Sequence, residues 1–409
     1  MSPPTAVRPS LPWVIAGIVM VALSLRAPII APTAVIADIR EGTGLSAAGA
    51  GLLTGLPVLL FALATPLASR VIRRFGPETT IVLCLAGIMT GTLIRSSGPA
   101  WVVLGGTAII GAAMTLGNIA VPVLIRRDVP WNKVSSATAA YSAAMNVGSM
   151  ATLLGTAPLA GFAGWRWAIA AWSIVTAAGL IYWVLRRRNA PGTPVSPATA
   201  RRLARTTAAG TSVAPARTPE QRAHTKRIVA LLVFAFCGQS AAYYATTAWL
   251  PLLLTETRGL APASSGASAS LFQVAAILGA FGVPLLANRT RLSVAAIVVA
   301  VFWIILPVGL LAAPQAFVLW SIIGGIAQGG GFTVIFSVIP RISHSDAEAA
   351  SVSARVQGGG YLAATAAPPL AGWLNTLTGG WTAPLVLVLV ATLTYTLGAV
   401  TAARLSDRD

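Results

Sequence analysis

Charge is what this chain has least of. Only 9% of its 409 residues are Asp, Glu, Lys or Arg, and ten of those are acidic. Soluble domains carry about a quarter charged residues, so an ordinary water-facing globular surface is excluded. Cysteine is nearly missing as well. Cys84 and Cys237 stand singly inside apolar runs, with no CxxC, and so supply neither a disulfide framework nor a metal site. No Ser/His/Asp set, HExxH pair, intramembrane aspartate pair or phosphate-cradling glycine loop occurs. The chain therefore does not read as an enzyme, and no cofactor is implied.

Apolar length is what the chain has instead. Hydrophobic residues make up 56% of it, and runs of about 20, the length needed to cross a bilayer, recur throughout. Twelve spans are predicted, at 12–37, 48–69, 79–96, 101–125, 134–160, 166–185, 228–254, 266–287, 293–313, 316–340, 349–375 and 382–403. The fold class is thus an all-α integral membrane protein of twelve transmembrane helices in two six-helix halves. Trp13–Ile36 is needed for the even count, which argues against a cleaved signal peptide.

The net charge of +18 is distributed as the positive-inside rule requires, which argues against a nucleic-acid partner. Twenty-two of the 28 basic residues fall in alternate loops, including Arg70–Arg74, Arg126–Lys133 and Arg186–Arg227. Four (Arg40, Arg95, Arg166, Arg258) fall on the opposite side, in loops or at span ends, and two (Arg26, Arg355) deep inside spans. Both termini are therefore expected in the cytoplasm. Scarce lysine and abundant alanine suit a GC-rich bacterial genome, which makes the inner membrane the expected location. Residues 187–226 are rich in Arg, Pro, Ala and Thr without an apolar run, and read as a cytoplasmic linker. It separates an N-terminal half, 1–186, from a C-terminal half, 227–409.

The halves repeat. Gly44-Leu45-Ser46 precedes span two as Gly259-Leu260-Ala261 precedes span eight. Pro158-Leu159-Ala160-Gly161 ends span five as Pro369-Leu370-Ala371-Gly372 ends span eleven. Two parallel six-helix halves with a long middle loop are the layout of the major facilitators.

Polar groups inside spans must face a cavity or another helix, because lipid cannot satisfy them. Arg26 stands out. Its nearest charged neighbours, Arg8 and Asp38, lie about 27 Å and 18 Å away along a helix. An arginine this deep costs at least about 2.5–3.5 kcal/mol on insertion scales. Two readings are open: a cation for a negative solute, whose planar guanidinium suits a carboxylate-like or linear anion, or a structural arginine held by carbonyls that Pro28 and Pro32 free near positions 24 and 28. The other candidates are Asn118, Tyr141, Asn146, Gln239, Tyr243, Tyr244, Gln273, Gln328, Gln357 and Tyr361. Gln239 with Tyr243, and Gln357 with Tyr361, are four apart and share a helix face. Arg355 is closer to a span end, where it can snorkel to headgroups or guard an inner gate. All ten acidic residues sit in loops or at span ends, and His224 and His344 in loops. No buried carboxylate or imidazole is available to carry a proton.

In order along the chain, these residues resemble the cyanate porter family of the major facilitator superfamily, whose members handle cyanate or 2-nitroimidazole. The resemblance rests on Ser24-Leu25-Arg26-Ala27-Pro28, on Gly117-Asn118 with Pro122 and Arg126-Arg127-Asp128-Val129-Pro130, and on Tyr141 with Asn146. It continues through Phe236-Cys237-Gly238-Gln239-Ser240, Tyr243-Tyr244, Trp249-Leu250-Pro251, Gln328-Gly329 and Gln357 with Gly360-Tyr361. Ser24 stands where the family shows Asn, and Arg355 where an apolar residue is usual. The resemblance implies a monomeric carrier that works by alternating access. Arg26 would bind a small anionic solute. Asn118, Tyr141, Asn146, Gln239, Tyr243, Gln328, Gln357 and Tyr361 would complete the site, with Arg355 and Trp249 as gating residues. Its alternative is efflux of a nitroimidazole-like compound. A membrane sensor is a third possibility, but the linker is short for a signalling domain.

Overall fold

A computed structural model describes residues 11–130, 134–189, 218–343 and 346–407. Most of the expected linker, with His344 and Lys133, lies outside the described residues. Among the described residues, nine apolar stretches are long enough to cross a membrane, and a bent helix pair supplies a tenth. Two further helices, 30 and 33 residues long and richer in small and polar side chains, complete the twelve.

Span one is α1 (Leu11–Ala34), followed by the short α2 (Ile36–Thr43) and, after a 118° bend, α3 (Ala47–Leu63), which is span two. The chain continues as α4 (Thr65–Arg95), broken at Gly76, whose φ of 78° a side chain would strain. The part after the break is span three. Then come α5 (Ala100–Asp128), α6 (Val134–Ala163) and the pair α7 (Trp165–Ala171) and α8 (Ser173–Asn189), making spans four to six. The second half holds α9 (Pro219–Arg258), α10 (Pro262–Arg289), α11 (Leu292–Ala312), α12 (Phe317–Ile342), α13 (Asp346–Thr378) and α14 (Thr382–Ser406), spans seven to twelve. Spans one and seven are the most deeply buried of the apolar helices, and spans six and twelve the least.

Helices run into both ends of the expected linker. Span seven begins at Pro219 rather than near 228 because Thr218 and Gln221 form a reciprocal capping box, with proline at the first helical position. The duplication is visible in backbone geometry. Gly44 and Gly259 are both left-handed helix caps, at φ 71° and 62°. Gly164 and Gly379, at φ 81° and 67°, recur at the same separation.

The halves meet along two seams, span two against span eleven and span five against span eight. Both are tight at the end remote from the linker, here the far end. A Cβ at Gly51 would stand 2.5 Å from the Pro368 carbonyl carbon, and one at Gly372 would stand 2.5 Å from the Ala47 oxygen. Gly266 packs likewise on the Leu153 carbonyl. Small residues let two backbones touch without side chains between them. Nearer the linker, Gly282 and Gly358 have nothing within 4 Å of such a Cβ. The molecule is sealed at the far end.

The linker end is tied within each half by charge. Arg127 pairs with Glu78 and Asp128, and Arg186 reaches Asp128 at 2.6 Å. Burial alone would lower the Arg127 pKa, but Asp128 and Glu78 raise it above its ordinary value. In the second half, Arg341 pairs with Asp407 at 3.0 Å, and the Ser293 amide donates to the same carboxylate.

Gly51→Leu is expected to force span two off span eleven. Spin labels at Ala48→Cys and Thr376→Cys, with Cys84 and Cys237 replaced, should then show a longer distance population than in the Gly51 background.

Candidate functional site

The site begins with two prolines. Pro28 and Pro32 each delete an amide from α1, so the carbonyls of Ser24 and Pro28 lose their helical partners. Arg26 lies between those breaks. It does not take up the Pro28 carbonyl. Arg95 does, donating from Nη1 at 2.5 Å. Arg95, expected at the outer end of span three, is the last residue of α4 and is buried inside the first half. The sequence hid the burial because an arginine beside a turn reads as facing the outer surface, and the acceptor it serves is 67 positions away.

Arg26 turns towards the second half. It donates from Nη1 to the Tyr243 hydroxyl at 3.3 Å, with its Cζ 6.0 Å from that ring's centroid. Tyr243, Tyr244, Tyr141 and Tyr361 all lie within electrostatic reach of it. Four of the chain's six tyrosines thus surround one guanidinium, drawn from spans five, seven and eleven. Arg26 is half-buried, both shielded from bulk water and reachable by a solute. No carboxylate pairs with it among the described residues, so its charge is uncompensated.

Behind Tyr243 the hydrogen bonds continue. Its hydroxyl donates to Gln273 Oε1 at 3.4 Å, and Gln273 Nε2 donates to Thr247 Oγ1 at 3.2 Å. Gln273 is fully buried and fixes the polarity of the chain: the hydroxyl proton points to Gln273 and a lone pair faces Arg26. Phe272 stacks on Tyr243 with centroids 6.2 Å apart, and Tyr244 meets its edge at 4.8 Å. Tyr361 packs against Phe236 of its own half at 5.5 Å and Phe61 of the other at 6.1 Å. Aromatic walls of this kind suit a flat solute.

The remaining candidates divide. Tyr141 and Tyr361 join the cluster. Gln239 is bound from both sides: Trp303 Nε1 donates to its Oε1 at 2.7 Å and its Nε2 donates to the Gln328 carbonyl at 2.8 Å. It pins span seven to spans nine and ten. Gln328 contributes that carbonyl, while its own Oε1 is buried without a partner. Asn146 and Gln357 donate within their own helices, to the Ser142 carbonyl and the Ser353 hydroxyl at 3.0 and 2.9 Å. Asn118 is half-buried on α5 and stands apart from these hydrogen bonds. Arg355 is exposed and donates only to the Ser351 carbonyl of its own helix at 3.4 Å. Trp249 sits at the far end, where its Nε1 donates to the Pro368 carbonyl at 2.8 Å beside the Gly372–Ala47 contact.

Two six-helix halves closed around a polar site, with no catalytic set, define a membrane transporter of small solutes. The sequence profile of the Major Facilitator Superfamily matches residues 13–313, and the chain belongs to that superfamily. A 2-nitroimidazole transporter of Escherichia coli (strain K12) is 32% identical over 402 residues, 95% of each chain. An uncharacterised transporter of Bacillus subtilis (strain 168) is 31% identical over 388 residues, 93% of this chain and 90% of the relative. Among solved structures, a POT family transporter in complex with 5-aminolevulinic acid superposes with a TM-score of 0.73 at 14% identity, over 96% of both chains. A D-xylose-proton symporter does so at 0.70 and 13%, over 94% of this chain and 96% of that one. At these identities the structures speak for the fold alone.

Gln239→Leu tests the division of roles. It strands the Trp303 indole N–H and the Gln328 carbonyl, each a buried group worth about 1–3 kcal/mol when left unpaired. A lower melting temperature is expected, with solute affinity per folded molecule unchanged.

Proposed function

We propose that this transporter carries a small anion or weak acid, cyanate-like or carboxylate, and that Arg26 is the solute's counter-charge. The observation that carries this reading is the uncompensated guanidinium at the meeting of the halves, ringed by tyrosines and free of any carboxylate. A charge buried without a partner is stabilised by the ligand that supplies one. In this structure the Tyr243 hydroxyl fills that place weakly, as a neutral acceptor at 3.3 Å. An arriving anion makes a shorter, charge-assisted contact and displaces it. Because Arg26 belongs to the first half and Tyr243 to the second, that exchange unfastens one half from the other. Binding is thereby coupled to the rocking of the halves.

The basic loops support a linker end that faces the cytoplasm. The sealed far end would then be the outer gate, with Trp249 part of the seal. A second reading is favoured by the E. coli relative: a flat nitroimidazole held between the aromatic walls, its nitro group on Arg26, moving outward.

A thermal-shift panel on the purified protein separates these readings. Cyanate, nitrate, small carboxylates and 2-nitroimidazole are each tested against wild type, Arg26→Gln and Tyr243→Phe. A ligand at a hundred times its Kd stabilises the folded state by about 2.7 kcal/mol. An anion is expected to stabilise the wild type, to lose its effect in Arg26→Gln and to bind more tightly to Tyr243→Phe, where its competitor is gone. Stabilisation by 2-nitroimidazole alone, equal in wild type and Arg26→Gln, would overturn the role given to Arg26.

A further inference from the structure

We infer that Arg95 is a positioning residue for Arg26, acting through the backbone carbonyl of Pro28. The inference rests on reading Arg26 as the group that meets the solute.

A helix pairs the carbonyl of residue 28 with the amide of residue 32. Residue 32 is proline, so that amide does not exist and the carbonyl is left buried without its helical partner. Arg95 Nη1 supplies the missing donor at 2.5 Å. The dependence is mutual. Arg95 is only 1% exposed, and its Nε and Nη2 have no partner. Among the described residues the Pro28 carbonyl is its one hydrogen-bond acceptor. A fully buried guanidinium that serves a single neutral oxygen is a costly device.

The competing explanation is an anion site of its own. The space beside Arg95, bounded by Ala27, Thr92, Ile169, Trp172 and Thr176, is too narrow to hold even a water molecule. No ligand fits there, and the backbone is what Arg95 serves. Arg166 secures it from the other side, donating from Nη1 to the Ser96 and Gly98 carbonyls of the turn that follows it.

The consequence reaches Arg26 because of where the two breaks fall. With the amides of residues 28 and 32 both absent, α1 lacks one rung across Arg26, from 24 to 28, and another in the next turn, from 28 to 32, so this stretch is free to bend. Arg95 clamps it from span three. Release of the clamp lets the guanidinium drift from the geometry that meets both the tyrosines and a solute. Binding groups must be held within about 0.5 Å to be effective.

The experiment is a rescue. Arg95→Gln, Pro32→Ala and the double variant are made in the full chain, each also with Arg26→Gln. Two readouts are taken on folded protein: affinity for cyanate and 2-nitroimidazole, and hydrogen exchange of the amides of residues 24–34. Arg95→Gln is expected to weaken binding about tenfold and to speed exchange in that segment. Pro32→Ala alone should stay near wild type. In the double variant the amide restored at position 32 pairs with the carbonyl of residue 28, and both readouts should return to within about threefold of wild type. Once Arg26→Gln is present, Arg95→Gln should change affinity no further.

Wild-type affinity in folded Arg95→Gln, or a double variant no better than the single, overturns the inference. So does an affinity loss that persists beside Arg26→Gln, since Arg95 would then act on the site by another route. If Arg95→Gln does not fold, Arg95→Met, which fills similar space with no donor, takes its place under the same criteria. If neither compound binds the wild type, it is the reading of Arg26 that fails, and the exchange rescue alone decides whether Arg95 holds α1.

Discussion

Water is missing from the hydrocarbon core, and that lack decides most of what this structure does with its polar groups. Every carbonyl or charge carried into a span needs a partner from the protein itself. The long nitrogen donors answer to this rule. Trp183 caps the Gly17 carbonyl, Trp249 that of Pro368, Trp303 the Gln239 amide oxygen, and Arg95 the carbonyl that Pro32 orphans. Small hydroxyls bond back to their own helices, as Thr107, Thr152 and Thr392 do. Other demands go unmet inside a half, as those of the buried Arg95 Nε and Nη2 and the Gln328 Oε1 do. Arg26 differs in its place. It holds a full charge where the halves meet, and its partner there is a neutral hydroxyl at a long distance. That demand lies between the halves.

The duplicated architecture explains why that demand falls between the halves. The two halves share their turns down to the left-handed glycines, so each is a similar rigid body. They touch through small residues at the far end, where backbones meet almost directly. Contacts of that kind are all or none, because there is no side chain to yield gradually. What differs between the halves is the chemistry set on them. The first brings the guanidinium and Tyr141; the second brings Tyr243, Tyr244, Tyr361 and the glutamine behind them. The cluster is complete only when both are present, which on the proposed function is what a carrier that moves two bodies around its solute would require.

The fold was legible because hydropathy and loop charge are properties of the chain alone. Twelve spans, the midpoint break and the internal repeat all came from periodicity and position. The Thr218 capping box was legible too, since its signature is local, but the polar composition around it masked it. Arg26, Tyr141, Tyr243 and Tyr361, which the structure brings together, stood out in the sequence because a charge or a large polar ring inside a span demands an explanation. Gln239 and Trp303 show the limit. A glutamine that binds a solute and one that welds three helices look identical until its partners are known. Arg95 fails for the same reason in reverse, since nothing local to residue 95 announces a proline in span one. Long-range pairing is what the sequence conceals, and in a membrane it carries most of the polar energetics.

The lack of carboxylates bears on direction as well as on recognition. Among the described residues every acidic group lies in α2, at the Gly76 break of α4 or near a helix end, so the proposed function calls on no acid in the middle of a span to exchange a proton. On that proposal the driving force would come from the solute. An anion that crosses alone feels the membrane potential, about 2.3 kcal/mol per charge at 100 mV, or roughly fiftyfold in concentration ratio. With the inside negative, that field opposes entry and favours exit. A weak acid escapes the field by crossing with its own proton, and a neutral nitroimidazole does not feel it at all. On the proposed reading of Arg26 as the solute's counter-charge, the charge state of that solute would set the favoured direction, and direction would follow from the chemistry of the solute.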